Sequence, residues 1–174
     1  MLRRMKGIPV PVAVAILTLC VLVGVALGNA NVLRAAAKGV TQFETALRER
    51  SQVCAVKAGN LLHPARQYIA DDPATAALSK AVEAHKKTKS IKELSAANAN
   101  LSDAVHAMWD ALEPVITEPS RGPAIGELDV FDSESNLLKR EVGKYNEAVQ
   151  KVRQTLATLP FRFLLQGVVP EVYP

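Results

Sequence analysis

The sequence predicts an all-α protein: an antiparallel bundle of about four helices preceded by one transmembrane helix. Three observations carry that expectation. An uncharged apolar run extends from Ile8 to Leu27, apolar residues downstream recur at alternating steps of three and four, and aromatics make up only 5% of a chain that is 49% hydrophobic. Small and aliphatic side chains suit helix–helix packing, whereas sheets favour aromatic and β-branched ones. The 174 residues suffice for one domain plus an appendage. They divide into a short basic segment 1–7, a membrane helix 8–28 and a helical domain 29–174.

The run Ile8–Leu27 contains no charge, and its length matches a bilayer: about 20 residues at ~1.5 Å each cover the ~30 Å hydrocarbon core. Pro9 and Pro11 fall in the first turn, where a missing N–H is tolerated. A cleaved signal peptide has a shorter apolar core, and Gly28-Asn29-Ala30 is the one stretch resembling its cleavage site. The length favours a retained anchor. Leu19 before Cys20 does not suit a lipidated cysteine. Arg3, Arg4 and Lys6 precede the run, against Arg34 and Lys38 after it. Positive-inside counting then places the N-terminus in the cytoplasm and exports the domain, which for a bacterial protein means a single-pass inner-membrane location.

Past the anchor, Leu33, Val40, Leu47, Cys54, Leu61 and Tyr68 repeat every seventh residue, predicting a long helix over 31–70 that Pro64 kinks or restarts. Asp72-Pro73 opens a short helix to about Lys87, and Ser90 with Glu93 has the form of a capping box. The helix it opens carries the stripe Ile91, Leu94, Asn98, Leu101, Val105, Met108, Leu112, Val115, with Trp109 flanking it. From Glu118 to Gly126, two prolines and Gly122 predict a loop. The last helix reads Leu138, Val142, Tyr145, Val149, Val152, Leu156, Leu159, extended backward by Phe131 and Leu128 and stopped by Pro160. That stripe must be covered by other helices or by a second copy, so a homo-oligomer stays open. Phe161–Pro174 is apolar but broken by Gly167 and Pro170; it packs along the bundle or lies on the membrane surface.

Charge and motifs exclude several function classes. Setting aside Arg3, Arg4 and Lys6 leaves 18 basic residues against 17 acidic ones, so the domain is near neutral. Lys86, Lys87, Lys89 and Lys92 form the one basic cluster and lack interleaved aromatics; no nucleic-acid partner is expected. Cys20 and Cys54 make no disulfide framework. His63, His85 and His106 lie on different segments, with Asp103 three residues before His106 forming an Asp/His pair at helical spacing. Asp110, Glu113 and Glu141 could face one another across a bundle, but no Glu-x-x-His occurs, as a di-metal site would need. With no phosphate loop, nucleophile elbow or zinc-protease signature, neither an enzyme, a cofactor nor a metal is expected.

Two segments resemble a known family. Thr41–Arg50, TQFETALRER, is similar to a stretch of the form SQIDVQLKRR in the LemA family of bacterial single-span membrane proteins. Asn136, the run Tyr145-Asn146-Glu147-Ala148-Val149 and Leu159-Pro160 match that family's C-terminal pattern without gaps. The likeness extends over nearly the whole chain. Ser51–Lys57 departs from it, and a second Tyr-Asn pair near Val152 and a tryptophan near Val40 are missing, as in a divergent member. The resemblance implies a helical bundle at a membrane, no known enzymatic activity, and Leu47, Arg48, Arg50, Asn136, Tyr145, Asn146, Val149 and Pro160 as the motif positions. The expected role is a non-catalytic, membrane-anchored scaffold that recruits a protein partner; the alternative is a small-ligand-sensing helical domain acting through a membrane partner.

Overall fold

The computed structural model describes residues 10–159 and 169–174, leaving out the side chains of residues 10–13 and 36. The basic segment 1–7, Pro160 and the run 161–168 lie outside the described residues. All the regular structure described is helical: α1 Val10–Asn60, α2 Leu62–Tyr68, α3 Pro73–His85, α4 Ile91–Leu112 and α5 Arg121–Thr158.

The apolar run and the first heptad stripe belong to one helix. α1 runs unbroken for 51 residues, about 76 Å at the usual rise. Its first part is exposed: Leu17 is 70% accessible and Leu19 62%, with Val14, Ile16, Val21 and Leu27 similarly bare. This is the one described helix long and apolar enough to cross a membrane. Its second part buries Leu33, Val40, Leu47 and Cys54 at the predicted seven-residue interval. The predicted helix over 31–70 is divided at Leu61. Pro64 sits in the first turn of α2, where its missing N–H is one of four without an intrahelical acceptor.

α5 is the main partner of α1. Lys57 pairs with Glu127 at 3.5 Å and Arg50 with Glu134 at 2.6 Å, while Gly39 and Phe43 adjoin Lys144 to Val152. Low numbers on one helix thus meet high numbers on the other. α5 covers its stripe with α1: Phe131, Leu138, Tyr145, Val149, Val152 and Leu156 are buried. It begins at Arg121, inside the predicted loop. Pro123 falls on the third helical residue, where no N–H is needed, and burial of Ala124 and Phe131 outweighs the propensity cost of Gly122 and Gly126.

α3 and α4 form a second pair laid against α1. Both predicted helix starts are present. Asp72 Oδ1 accepts from Ala74 N at 2.8 Å, and Ser90 and Glu93 close a reciprocal capping box. On α4 the stripe holds as far as Leu112; Val115 is 46% exposed, and Ile116, at 3%, occupies the core instead. The reason is that α4 ends at Leu112, and the turn beyond it rotates the next residues off the helical period. Trp109 flanks the core. Among the described residues of the C-terminal run, Val169–Pro174 packs on the helices, with Tyr173 buried.

Truncating Leu101 to Ala is expected to cost about 2–5 kcal/mol, whereas Val115→Ala stays within about 0.5 kcal/mol. Denaturant titration of both variants checks this; equal losses would contradict the exposure of Val115.

Candidate functional site

A knot of polar side chains lies in the core where α1, α3, α4 and the C-terminal tail meet. Ser51 of α1 is fully buried, and His85, the last residue of α3, is 3% exposed. Ser51 Oγ lies 2.7 Å from His85 Nε2 and donates to Asn98 Oδ1 at 2.7 Å. His85 Nε2 is also 3.1 Å from Asn98 Oδ1, and Asn98 Nδ2 donates to the Tyr173 hydroxyl at 2.8 Å. Since the single Ser51 proton goes to Asn98, the proton between Ser51 and His85 must come from the imidazole. With the Asn98 amide placed so, the contacts match the Nε2–H tautomer of His85, and the buried Nδ1 has no hydrogen-bond partner among the described residues.

That protonation pattern opposes a nucleophilic role for Ser51. A base would have to accept the serine proton at Nε2, and an orienting group would have to hold Nδ1. Of the knot, Asn98 and Tyr173 line the adjoining groove between α4 and α5, and Ser51 and His85 sit behind them. What the knot does is satisfy polar atoms from four segments at once. Burial lowers the pKa of His85, with the Asn98 contact opposing the shift, so the neutral ring is the folded form.

Beside the knot, α4 and α5 make little direct contact and leave a groove of about 630 Å³. Ser102 and His106 on one wall face Asp132 and Asn136 on the other, and Tyr173 and Pro174 close one end. His106 crosses it: Nε2 is 3.4 Å from Asp132 Oδ1, and the ring meets Phe131 edge-on at 6.4 Å. Its Nδ1 bonds to the Ser102 carbonyl, so the Asp103–His106 spacing corresponds to no mutual bond. The acids Asp110, Glu113 and Glu141 do not converge; Glu113 faces Arg121 and Glu141 pairs with Lys144. No three metal-ligating side chains come together among the described residues.

The described motif positions separate into four groups. Leu47 and Val149 are core. Arg48 bonds Glu44 at 2.9 Å and the Lys89 carbonyl at 3.0 Å, tying α1 to the α3–α4 turn, while Arg50 reaches α5 through Glu134. Asn136 lines the groove. Tyr145 and Asn146 act together. The Tyr145 hydroxyl donates to the Glu171 carbonyl at 2.7 Å, and the Asn146 amide both donates to the Tyr173 carbonyl and accepts from its N–H, each at 2.9 Å. Asn146 therefore pairs with the tail backbone at Tyr173, not with a neighbouring helix. Pro160 lies outside the described residues.

Sequence reasoning missed Ser51 and the tail clamp. The signal for Ser51 was available: it stands four residues after Leu47 and three before Cys54, an a/d position occupied by a hydroxyl. The clamp had none, because it pairs positions far apart in the chain.

Fold and site together define a helical protein with a span-length apolar helix, a buried polar knot and a tail strapped across two helices. No protein-family model matches the chain, and no curated protein matches it either.

Two outcomes follow. The folded pKa of His85 lies below its ordinary value, so its contribution to stability is complete above about pH 6.5 and falls as pH drops through the folded pKa. Melting temperature should decline between neutral pH and pH 5 in the wild type and flatten in His85→Gln; parallel profiles would refute the assignment. Asn146→Ala removes both tail bonds and should cost about 1–3 kcal/mol while exposing Val169–Pro174 to carboxypeptidase. Tyr145→Ala, which also empties core volume, should cost about 3–5 kcal/mol.

Proposed function

We propose that this chain is a non-catalytic, membrane-anchored helical protein, a divergent member of the LemA family, whose domain serves as a scaffold for a partner protein at the bacterial inner membrane. One observation carries the reading: the lipid-length exposed stretch and the first buried stripe share a single uninterrupted helix, α1. A helix exposing Leu17, Leu19 and Leu27 to water would be costly; in a bilayer the same side chains are at home. Below it, α1, α3, α4 and α5 assemble as an antiparallel bundle, supported by the reversed order of the α1–α5 ion pairs. The domain then stands on a stalk continuous with its own core, which fixes its height above the lipid. Such a device holds a partner at a set distance; it turns nothing over.

A second reading, small-ligand sensing through a membrane partner, draws on the α4–α5 groove, whose volume of about 630 Å³ suits a small molecule. Saturable thermal stabilisation by a metabolite would favour it over the scaffold.

Anchoring is tested by alkaline carbonate extraction and vesicle flotation of the full chain. Retention in the membrane fraction is expected, and release of an intact chain would overturn the reading. Sidedness needs a new reporter, because Cys54 is buried and burial pushes its thiol pKa up, which makes it a poor labelling site. Gln150→Cys, on an exposed face of α5, should react with an impermeant maleimide only from outside the cytoplasm.

A further inference from the structure

The charges of the domain are sorted along its length. Arg34 and Lys38 on α1 and Lys151 and Arg153 on α5 are all exposed, and none has a carboxylate within ion-pair distance. All the acids of the chain fall within the described residues. The nearest begin farther along: Glu44 is engaged by Arg48, Glu147 lies one turn before Lys151, and Glu171 belongs to the tail held at Tyr145. At the opposite end Asp71, Asp72, Glu113, Glu118, Glu127 and Asp129 dominate.

Pairing of α1 with α5 brings the four cations to the same end of the domain. Gly39 and Phe43 line the same hollow as Lys151 and Val152, so Lys151 and Arg153 stand beside the first turns of α1 past the apolar run. Measured along α1 from Leu27, Arg34 is about 10 Å and Lys38 about 16 Å beyond the hydrocarbon edge, and Lys151 stands level with a point about 18–24 Å out. The headgroup layer takes up roughly 5–7 Å of that, and a Lys or Arg side chain reaches several more. Arg34 and Lys38 therefore lie within about one Debye length of the lipid surface, ~8–10 Å, and Lys151 within about one to one and a half. The other lysine cluster lies farther out. Lys89 meets Arg48, about 31 Å from Leu27, which places Lys86, Lys87, Lys89 and Lys92 roughly two to three Debye lengths away.

We infer that Arg34, Lys38, Lys151 and Arg153 form a collar that recruits anionic phospholipid headgroups around the base of the domain. The inference rests on the anchored reading of α1. Two of the four residues come from α5, so the collar exists only in the folded protein; unfolding disperses it while leaving the apolar helix intact.

The test uses the full chain in vesicles of equal phosphatidylglycerol and phosphatidylcholine, excised with their surrounding lipid into polymer-bounded discs. Lipid analysis of the discs is expected to give a ratio of phosphatidylglycerol to phosphatidylcholine roughly three times that of the bulk vesicles. The variant R34Q/K38Q/K151Q/R153Q should lose most of it, and raised salt should erase it in the wild type. A control, K80Q/K86Q/K87Q/K92Q, removes equal charge away from the lipid and should retain it. Arg3, Arg4 and Lys6 are common to all three proteins, so differences among them report the collar alone. Equal enrichment in the two variants overturns the collar and leaves the anchor standing; a wild-type chain that never enters the discs overturns both.

Discussion

The seam between α1 and α5 is the constraint on which the remaining structure depends. Leu33, Val40, Leu47 and Cys54 on one helix and Phe131, Leu138, Tyr145, Val149 and Val152 on the other are all but removed from water. Each such side chain contributes about 1.5–3 kcal/mol of burial, so the set named contributes roughly 14–27 kcal/mol. α3 and α4 touch each other and α1 more than they touch α5, so they join a framework the long pair already defines. Because α1 continues without a hinge beyond Leu33, whatever holds its upper part also fixes the orientation of the seam. A flexible linker would have uncoupled the two.

Within that frame the polar knot sets alignment more than it adds stability. Ser51, His85, Asn98 and Tyr173 each replace an apolar side chain that would have packed without desolvation cost. Their bonds can all form only when α3, α4 and the tail are in one register relative to α1; a shift of one helical turn would strand three buried polar groups. The unpaired His85 Nδ1 marks the residual cost of the arrangement. Tail and knot are coupled, since Tyr173 is held both by Asn98 from α4 and by Asn146 from α5. The strap thereby closes the helix pair that the groove keeps apart.

Local chemistry was legible before the fold was seen. Asp72-Pro73 and the Ser90–Glu93 box mark helix starts because their partners lie within three residues, and the seven-residue stripe on α1 marks its buried face for the same reason of short range. Where tertiary burial outweighs local preference, the sequence misleads. Gly122, Pro123 and Gly126 read as a loop, yet Ala124 and Phe131 carry the helix through them. Val115 continues the period arithmetically, but the helix has ended. Asn98 was counted on an apolar stripe, and its amide is instead the centre of the knot. The candidate site lay beyond the sequence because Ser51, His85, Asn98 and Tyr173 are brought together by topology alone.

The same distinction between chain and fold bears on membrane orientation. Insertion reads the charges flanking a span in sequence, and by that count Arg3, Arg4 and Lys6 outnumber Arg34 and Lys38 by one. On the proposed anchored reading, Lys151 and Arg153 reverse the balance in space, but they follow on α5, more than a hundred residues after the apolar run. They cannot vote on topology. A cation near lipid in the folded state and a cation near the span in the nascent chain are thus different quantities, and only the first depends on the α1–α5 seam. A domain can be exported under the rule governing the second while its base still meets an anionic surface through the first.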